Sequence, residues 1–193
     1  MTLQLLLSLL GFAFVAAITP GPNNIMLMNS GATFGFRASV PHMLGVALGH
    51  ALMVVLIALG IGELFVRFPT LHSWLTIVAA LYLCWLAWKI ARSGAPGQSG
   101  KAHPFSFLQA AAFQWVNPKA WAMTLSAVTL YGLLGAPVMG ATFLMVDLVA
   151  VTVWAALGQG LSRWLGTGAR LRAFNIVMAL LLISSLGLVF LEG

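Results

Sequence analysis

The chain has 193 residues, of which 61% are hydrophobic and 6% charged; a soluble domain carries about 25% charged residues, so the composition excludes a water-soluble globule and calls for lipid as the solvent. Nine Lys and Arg stand against three Asp and Glu, a formal net charge of +6. Apart from Lys119, the basic residues sit at the ends of apolar runs and in loops rather than in one patch, so the excess points to no nucleic-acid partner.

A bilayer core about 30 Å thick is crossed by about 20 residues of apolar helix. Six candidate runs follow one another, roughly 3–33, 40–62, 71–91, 105–134, 137–162 and 173–191, and they leave little chain for a separate domain. The expected fold is an all-α polytopic membrane protein with six transmembrane helices, in which 1–193 is a single transmembrane domain.

The first run contains no Lys or Arg before Arg37. It therefore lacks the basic segment of a secretory signal and reads as a span. Thr-Pro-Gly-Pro-Asn-Asn, residues 19–24, interrupts it. A proline inside a helix removes a donor and clashes with the preceding turn. Backbone broken at membrane depth leaves N–H and C=O groups without partners, so it survives only where protein covers it or a wet cavity faces it. Gly31-x-x-x-Gly35 either admits a neighbouring helix or ends this span. The second run carries Gly45-x-x-x-Gly49, which lets another helix approach closely, and then His50. The third holds the lone Cys84, which can form neither an internal disulfide nor a thiolate metal cluster and reads as a small buried apolar residue. Residues 92–104, Arg-Ser-Gly-Ala-Pro-Gly-Gln-Ser-Gly-Lys-Ala-His-Pro, form the one polar linker. The fourth run is broken at Asn117-Pro118-Lys119, flanked by Trp115 and Trp121, which read as packed or lipid-facing. The fifth carries Asp147 about ten residues in. Glu63 and Glu192 stand at span ends and need no role. Trp74, Trp85, Trp88 and Trp164 lie near span ends, where an interfacial belt is expected.

Charge sets the orientation. Arg37, Lys89, Arg92, Lys101, Arg163, Arg170 and Arg172 fall at the ends of runs one, three and five or in the loops after them, and only Arg67 lies on the other side. The positive-inside bias puts the 92–104 loop in the cytoplasm and both termini opposite. That linker leaves three spans on each side, so a repeat must be inverted in the membrane: repeat one about 1–91, repeat two about 105–193. Pro118 follows Pro20 by 98 residues, and each breaks the first span of its half. Paired interrupted spans are the best sequence pointer to a transporter site.

Three ionisable residues remain away from the loops: His50, Lys119 and Asp147. A charge at the centre of the bilayer costs at least ~2.5–3.5 kcal/mol on insertion scales, so its default reading is functional, with a partner. At 1.5 Å per residue, His50 and Asp147 each lie about 15 Å deep, and the 98-residue offset places Asp147 against Gly49, next to His50. Half-helices starting after Pro22 and Pro118 present free N–H groups and partial positive charge, which suit a carboxylate. Asn23, Asn24 and Asn117 add hydrogen bonds, Lys119 adds positive charge, and Asp147 offers a partner for an ammonium. The set describes a pocket for a zwitterion, with Asp147 or His50 able to carry a proton.

A first span ending in Thr-Pro-Gly-Pro-Asn-Asn, a second containing Gly-Val-Ala-Leu-Gly-His-Ala-Leu, and a later Asn-Pro-Lys-Ala-Trp resemble the LysE/RhtB family of amino-acid exporters, over essentially the whole chain. The resemblance implies a secondary exporter of amino acids or their derivatives in the inner membrane, working by proton antiport. The family motif falls on Pro20, Gly21, Pro22, Asn23, Asn117, Pro118 and Lys119; Asn24, His50 and Asp147 join the site on depth and chemistry alone. No Gly-x-x-x-x-Gly-Lys-Ser/Thr phosphate loop occurs, and no cofactor is expected. The alternatives are an exporter of another small solute or a divalent cation, a membrane enzyme, and a non-transport assembly factor. A cation exporter would have few ligands here, an enzyme wants a nucleophile with its base at one depth, and an assembly factor has no need of paired breaks or deep charges. Small-residue stripes allow a homodimer.

Overall fold

The computed structural model describes residues 3–61, 67, 69–92, 103–166 and 168–191. They form helices α1 (Leu3–Ile18), α2 (Pro22–Phe34), α3 (Phe36–Leu56), α4 (Pro69–Ala91), α5 (Phe107–Phe113), α6 (Pro118–Tyr131), α7 (Ala136–Leu165) and α8 (Ala169–Leu191). No strand occurs among the described residues. Each of the six expected runs coincides with a helix or with a broken pair, in the order α1–α2, α3, α4, α5–α6, α7 and α8. Among the described residues, α3 with its extension to Ile61 and α7 to Ser162 are long and apolar enough to cross a membrane, and α1 with α2, bent by 56°, make a third crossing if counted as one span. Glu63, Lys101, Glu192 and residues 93–102 of the linker lie outside the described residues, as do the side chains of Lys89 and Arg163.

Local chemistry sets the boundaries. α5 begins with a capping box: Ser106 Oγ accepts from the Gln109 backbone N–H and Gln109 Oε1 accepts from that of Ser106, so two orphan donors are satisfied reciprocally. α3 widens into a π turn at Ile57–Ile61, closed by Gly60 at φ 106°. Gly35 (φ 84°, ψ 165°) ends α2 and starts α3, and Gly135 (φ 81°, ψ 153°) stands in the same conformation before α7. Only glycine holds such a backbone without strain.

α2, α3 and α7 form the centre. Glycine sets their spacing: a Cβ on Gly31 would lie 2.1 Å from Ala155 O, and one on Gly158 2.0 Å from Met28 O, so α2 and α7 meet backbone to backbone. Gly31 is thus a crossing point, and Gly35 ends the helix. Gly45 and Gly49 do for α3 what Gly-x-x-x-Gly implies, at Phe107 O and Ala111 Cα of α5, where an added Cβ would fall 2.4 and 2.6 Å away. One apolar cluster joins α1, α6 and α7, including Leu9, Ala127 and Phe143; another joins α2, α4 and α8, including Met26, Leu86 and Leu182. Cys84 departs from expectation: it is exposed, because α4 turns Leu83, Leu86 and Ala87 inward instead. Trp115 and Trp121 pack edge-to-face at 6.1 Å, and Trp74, Trp85, Trp88 and Trp164 are exposed.

Candidate functional site

The first break follows from its two prolines. Each disfavours helix at the residue before it, and Gly21 between them is fully extended at φ −171°, ψ 178°. That conformation is open to any residue. Glycine is needed there for room: a Cβ at position 21 would fall 2.6 Å from Lys119 Cδ.

The broken end of α1 exposes carbonyls that a bilayer cannot satisfy, and side chains from three other segments cover them. Asn24 Nδ2 donates to Ala17 O and to Thr19 O, both at 2.8 Å. Trp154 Nε1, from α7, donates to Ile18 O at 3.1 Å. Lys119 Nζ, from the second break, donates to Thr19 O, where an ammonium also meets the negative end of a helix dipole. The N-terminus of α2 has no side-chain cap.

The second break has a parallel construction. α5 tightens into a 3₁₀ turn at Gln114–Val116, and Asn117 is extended before Pro118 opens α6. Asn117 caps that helix by accepting from the Lys119 N–H at 3.2 Å. Gln114 is fully buried; its Nε2 donates to Ala110 O at 2.8 Å and to Asn23 Oδ1 at 3.3 Å, while its Oε1 accepts from Asn23 Nδ2 at 2.8 Å. A reciprocal amide pair therefore ties the start of α2 to the turn before the second break.

His50 and Asp147 are both buried, and the structure joins them: His50 Nδ1 lies 2.8 Å from Asp147 Oδ2. His50 Nε2 lies 3.2 Å from Thr124 Oγ1 of α6, and the imidazole meets Phe143 edge-on at 5.2 Å. Both ring nitrogens are engaged, so a proton on either has a defined partner. Among the described residues, this is the one contact within 4 Å between a basic and an acidic side chain.

A cavity of about 30 Å³ lies where these parts meet. Gly21, Asn23 and Asn24 line it from the first break, Asn117 and Lys119 from the second, His50 from α3 and Asp147 from α7. One water needs roughly 10–15 Å³, so the space is wide enough to be wet. The structure thus gathers every polar side chain singled out in the sequence. Pro20, Pro22 and Pro118 shape the backbone without lining the cavity. Gln114, Thr124 and Trp154 were not legible as partners. A neutral polar or aromatic residue inside an apolar run carries no charge penalty to mark it, and its partner lies on another helix.

A family model described as LysE type translocator matches residues 14–192. The cysteine/O-acetylserine efflux protein of Escherichia coli strain K12 is 36% identical over 193 residues, covering 95% of this chain and 96% of the relative. The protein of the same description from Salmonella typhimurium strain LT2 is 33% identical over 190 residues with the same coverage. No solved structure matches the chain.

Proposed function

The chain belongs to the LysE type translocator family, which makes it a membrane transporter rather than an enzyme, and from that premise we propose that it exports small net-neutral amino acids such as cysteine and O-acetylserine across the inner membrane in exchange for protons. The observation that carries the reading is the meeting of two helix breaks at one cavity that also holds an ammonium and a buried carboxylate–imidazole pair.

A zwitterion fits those groups. Its carboxylate goes to the uncapped N-terminus of α2, where free N–H groups and the helix dipole favour an anion. Lys119 stands beside it, its stem against Gly21. The substrate ammonium goes to Asp147. The lining also includes Ala17, Ala120 and Ala150, which suits a short side chain. Substrate and proton then compete for one carboxylate. With the ammonium bound, Asp147 is ionised and needs no proton; once the substrate leaves, protonation of the Asp147–His50 pair restores charge balance in a medium that penalises a lone charge. That competition is the physical content of antiport.

The proposed frame is one transmembrane domain of six spans in two inverted repeats, about 1–91 and 105–193, with 92–104 cytoplasmic and the termini opposite. Support comes from the paired breaks and from Gly35 and Gly135, whose matching backbone recurs 100 residues apart. A divalent cation is a poorer cargo, because hard cations ask for six or more oxygen ligands and no three His, Cys, Asp or Glu side chains converge among the described residues.

The test is efflux. Cells expressing the chain are expected to accumulate O-acetylserine and cysteine in the medium above a vector control, and everted vesicles to take them up when a proton gradient is imposed. Unchanged extracellular amino acids at confirmed membrane expression would overturn the reading.

A further inference from the structure

A second cavity lies apart from the breaks. It measures about 100 Å³ and sits between α2, α4 and the start of α5. Asn29, Ser30 and Gln109 line one part of it with polar groups, Tyr82 and Trp85 another with aromatic ones, and His103 stands among the lining. Among the described residues, no Asp, Glu, Lys or Arg lines it.

We propose that this cavity is a vestibule that binds the same net-neutral amino acid before it reaches the breaks, with the Asn23–Gln114 amide pair as the partition between the two chambers. The inference rests on the exporter reading and adds a second binding site to it.

Three observations carry it. First, the two buried polar residues are held from behind. Asn29 Nδ2 donates to Asn175 Oδ1 of α8 at 2.9 Å, and Ser30 Oγ lies 3.1 Å from Nδ1 of the fully buried His42. Side chains locked by such support present a fixed surface, which is what a binding site requires. Packing alone would be served at less cost by apolar residues, since buried polar groups must be fully partnered. Second, the lining matches a zwitterion and not a cation or an anion. Hydroxyl, amide and imidazole groups can take the carboxylate. Tyr82 and Trp85 supply aromatic rings to the lining, and aromatic rings can attract an ammonium. A solute with an unpaired net charge would find no counter-charge among the described residues. Third, the two cavities share α2: Asn23 lines the first and Met26, one turn on, lines the second. Asn23 is bonded there to Gln114, which puts the amide pair on the stretch of α2 that the two cavities share. Those two segments come from opposite halves of the chain, so relative movement of the halves opens the partition.

The experiment is equilibrium binding of radiolabelled O-acetylserine to the purified protein in lipid nanodiscs, with efflux measured in parallel. The wild type is expected to bind two equivalents per chain. Gln109→Trp, which fills the vestibule from an exposed position, is expected to reduce this to one. Because a filling variant can misfold, a second measurement uses His103→Cys in a Cys84→Ser background: O-acetylserine is expected to slow its modification by a polar thiol reagent several-fold, and to do so still when Asp147→Asn is added. One equivalent in the wild type with normal efflux, or unprotected labelling at position 103, overturns the vestibule and leaves the exporter standing. Absence of both binding and efflux overturns the exporter reading and the vestibule with it.

Discussion

At the scale of single residues, the proposed mechanism turns on Asp147. Its carboxylate has a 2.8 Å partner in His50, which is bonded in turn to Thr124, and both acid and base are almost fully buried. Asparagine is nearly isosteric and keeps a hydrogen-bonding group toward the imidazole, so Asp147→Asn is expected to insert and fold. It has no charge to give up and take back. In vesicles, efflux by the wild type is expected to quicken as the outside is made more acidic than the inside, whereas the Asn variant loses that dependence and most of its flux. Asp147→Ala also leaves His50 Nδ1 buried and unpaired, at about 1–3 kcal/mol for a neutral group, so it should lower thermal stability in detergent where Asn does not. Wild-type flux and pH response in Asp147→Asn would remove the carboxylate from the mechanism. The depth of both residues was readable by counting along two apolar runs. Their bond was readable only in part: the repeat offset put Asp147 beside the position of His50, but which helix faces which depends on packing.

At the scale of elements, the two breaks were the most legible feature, because a proline's missing N–H is a local property that no tertiary context restores. What holds the first break was not legible. Asn24, Trp154 and Lys119 cover the three carbonyls at Ala17, Ile18 and Thr19, and they come from α2, α7 and α6. Asn24 thus serves the carbonyl end of α1, a use that spacing alone could not separate from binding a carboxylate. Cys84 failed for a related reason: α4 has apolar residues on every side, so its sequence does not say which face is inward, and only its packing settles that Leu83 and Leu86 are. Prolines and covering side chains therefore act together. Pro20→Ala with Pro22→Ala is expected to let α1 run into α2 as one helix. That straightens a 56° bend and draws Ala17, Ile18 and Thr19 O away from their side-chain partners. Efflux should fall to background while the protein still inserts, and circular dichroism should report a gain in helix. Normal efflux in the double variant would reduce the break to a packing kink.

At the scale of the whole molecule, the two breaks are alike in construction but the helix contacts around them are unequal. α2 is sealed against α7 by the Gly31–Ala155 and Gly158–Met28 contacts, and Phe36 N–H donates to Gln159 Oε1 at 2.6 Å at the same end. The counterpart under an inverted repeat, α6 against α3, is a far smaller contact. An inverted repeat whose halves differ in this way defines one facing state, and exchanging the two arrangements gives the other. The sealed end is the one bearing Arg37; in the orientation proposed above, with basic ends cytoplasmic, the seam would shut the cavity from the cytoplasm. On that proposal, release of the seam is the step that would admit substrate. Gly158 is the place to test it, since a methyl group there meets backbone, which cannot turn aside. Gly158→Ala should hold α2 and α7 apart at a cost of about 1–3 kcal/mol, as overpacked contacts do. A cysteine at Ala120, which lines the cavity, reports the result in a Cys84→Ser background. With Gly158 intact, an impermeant thiol reagent should reach it mainly from the side opposite the 92–104 loop. With Gly158→Ala, labelling from the loop side should rise several-fold and labelling from the other side should fall. Equal labelling with and without the added methyl, in protein that remains folded, would mean that the α2–α7 seam is a fixed element of the core and that the halves do not part there.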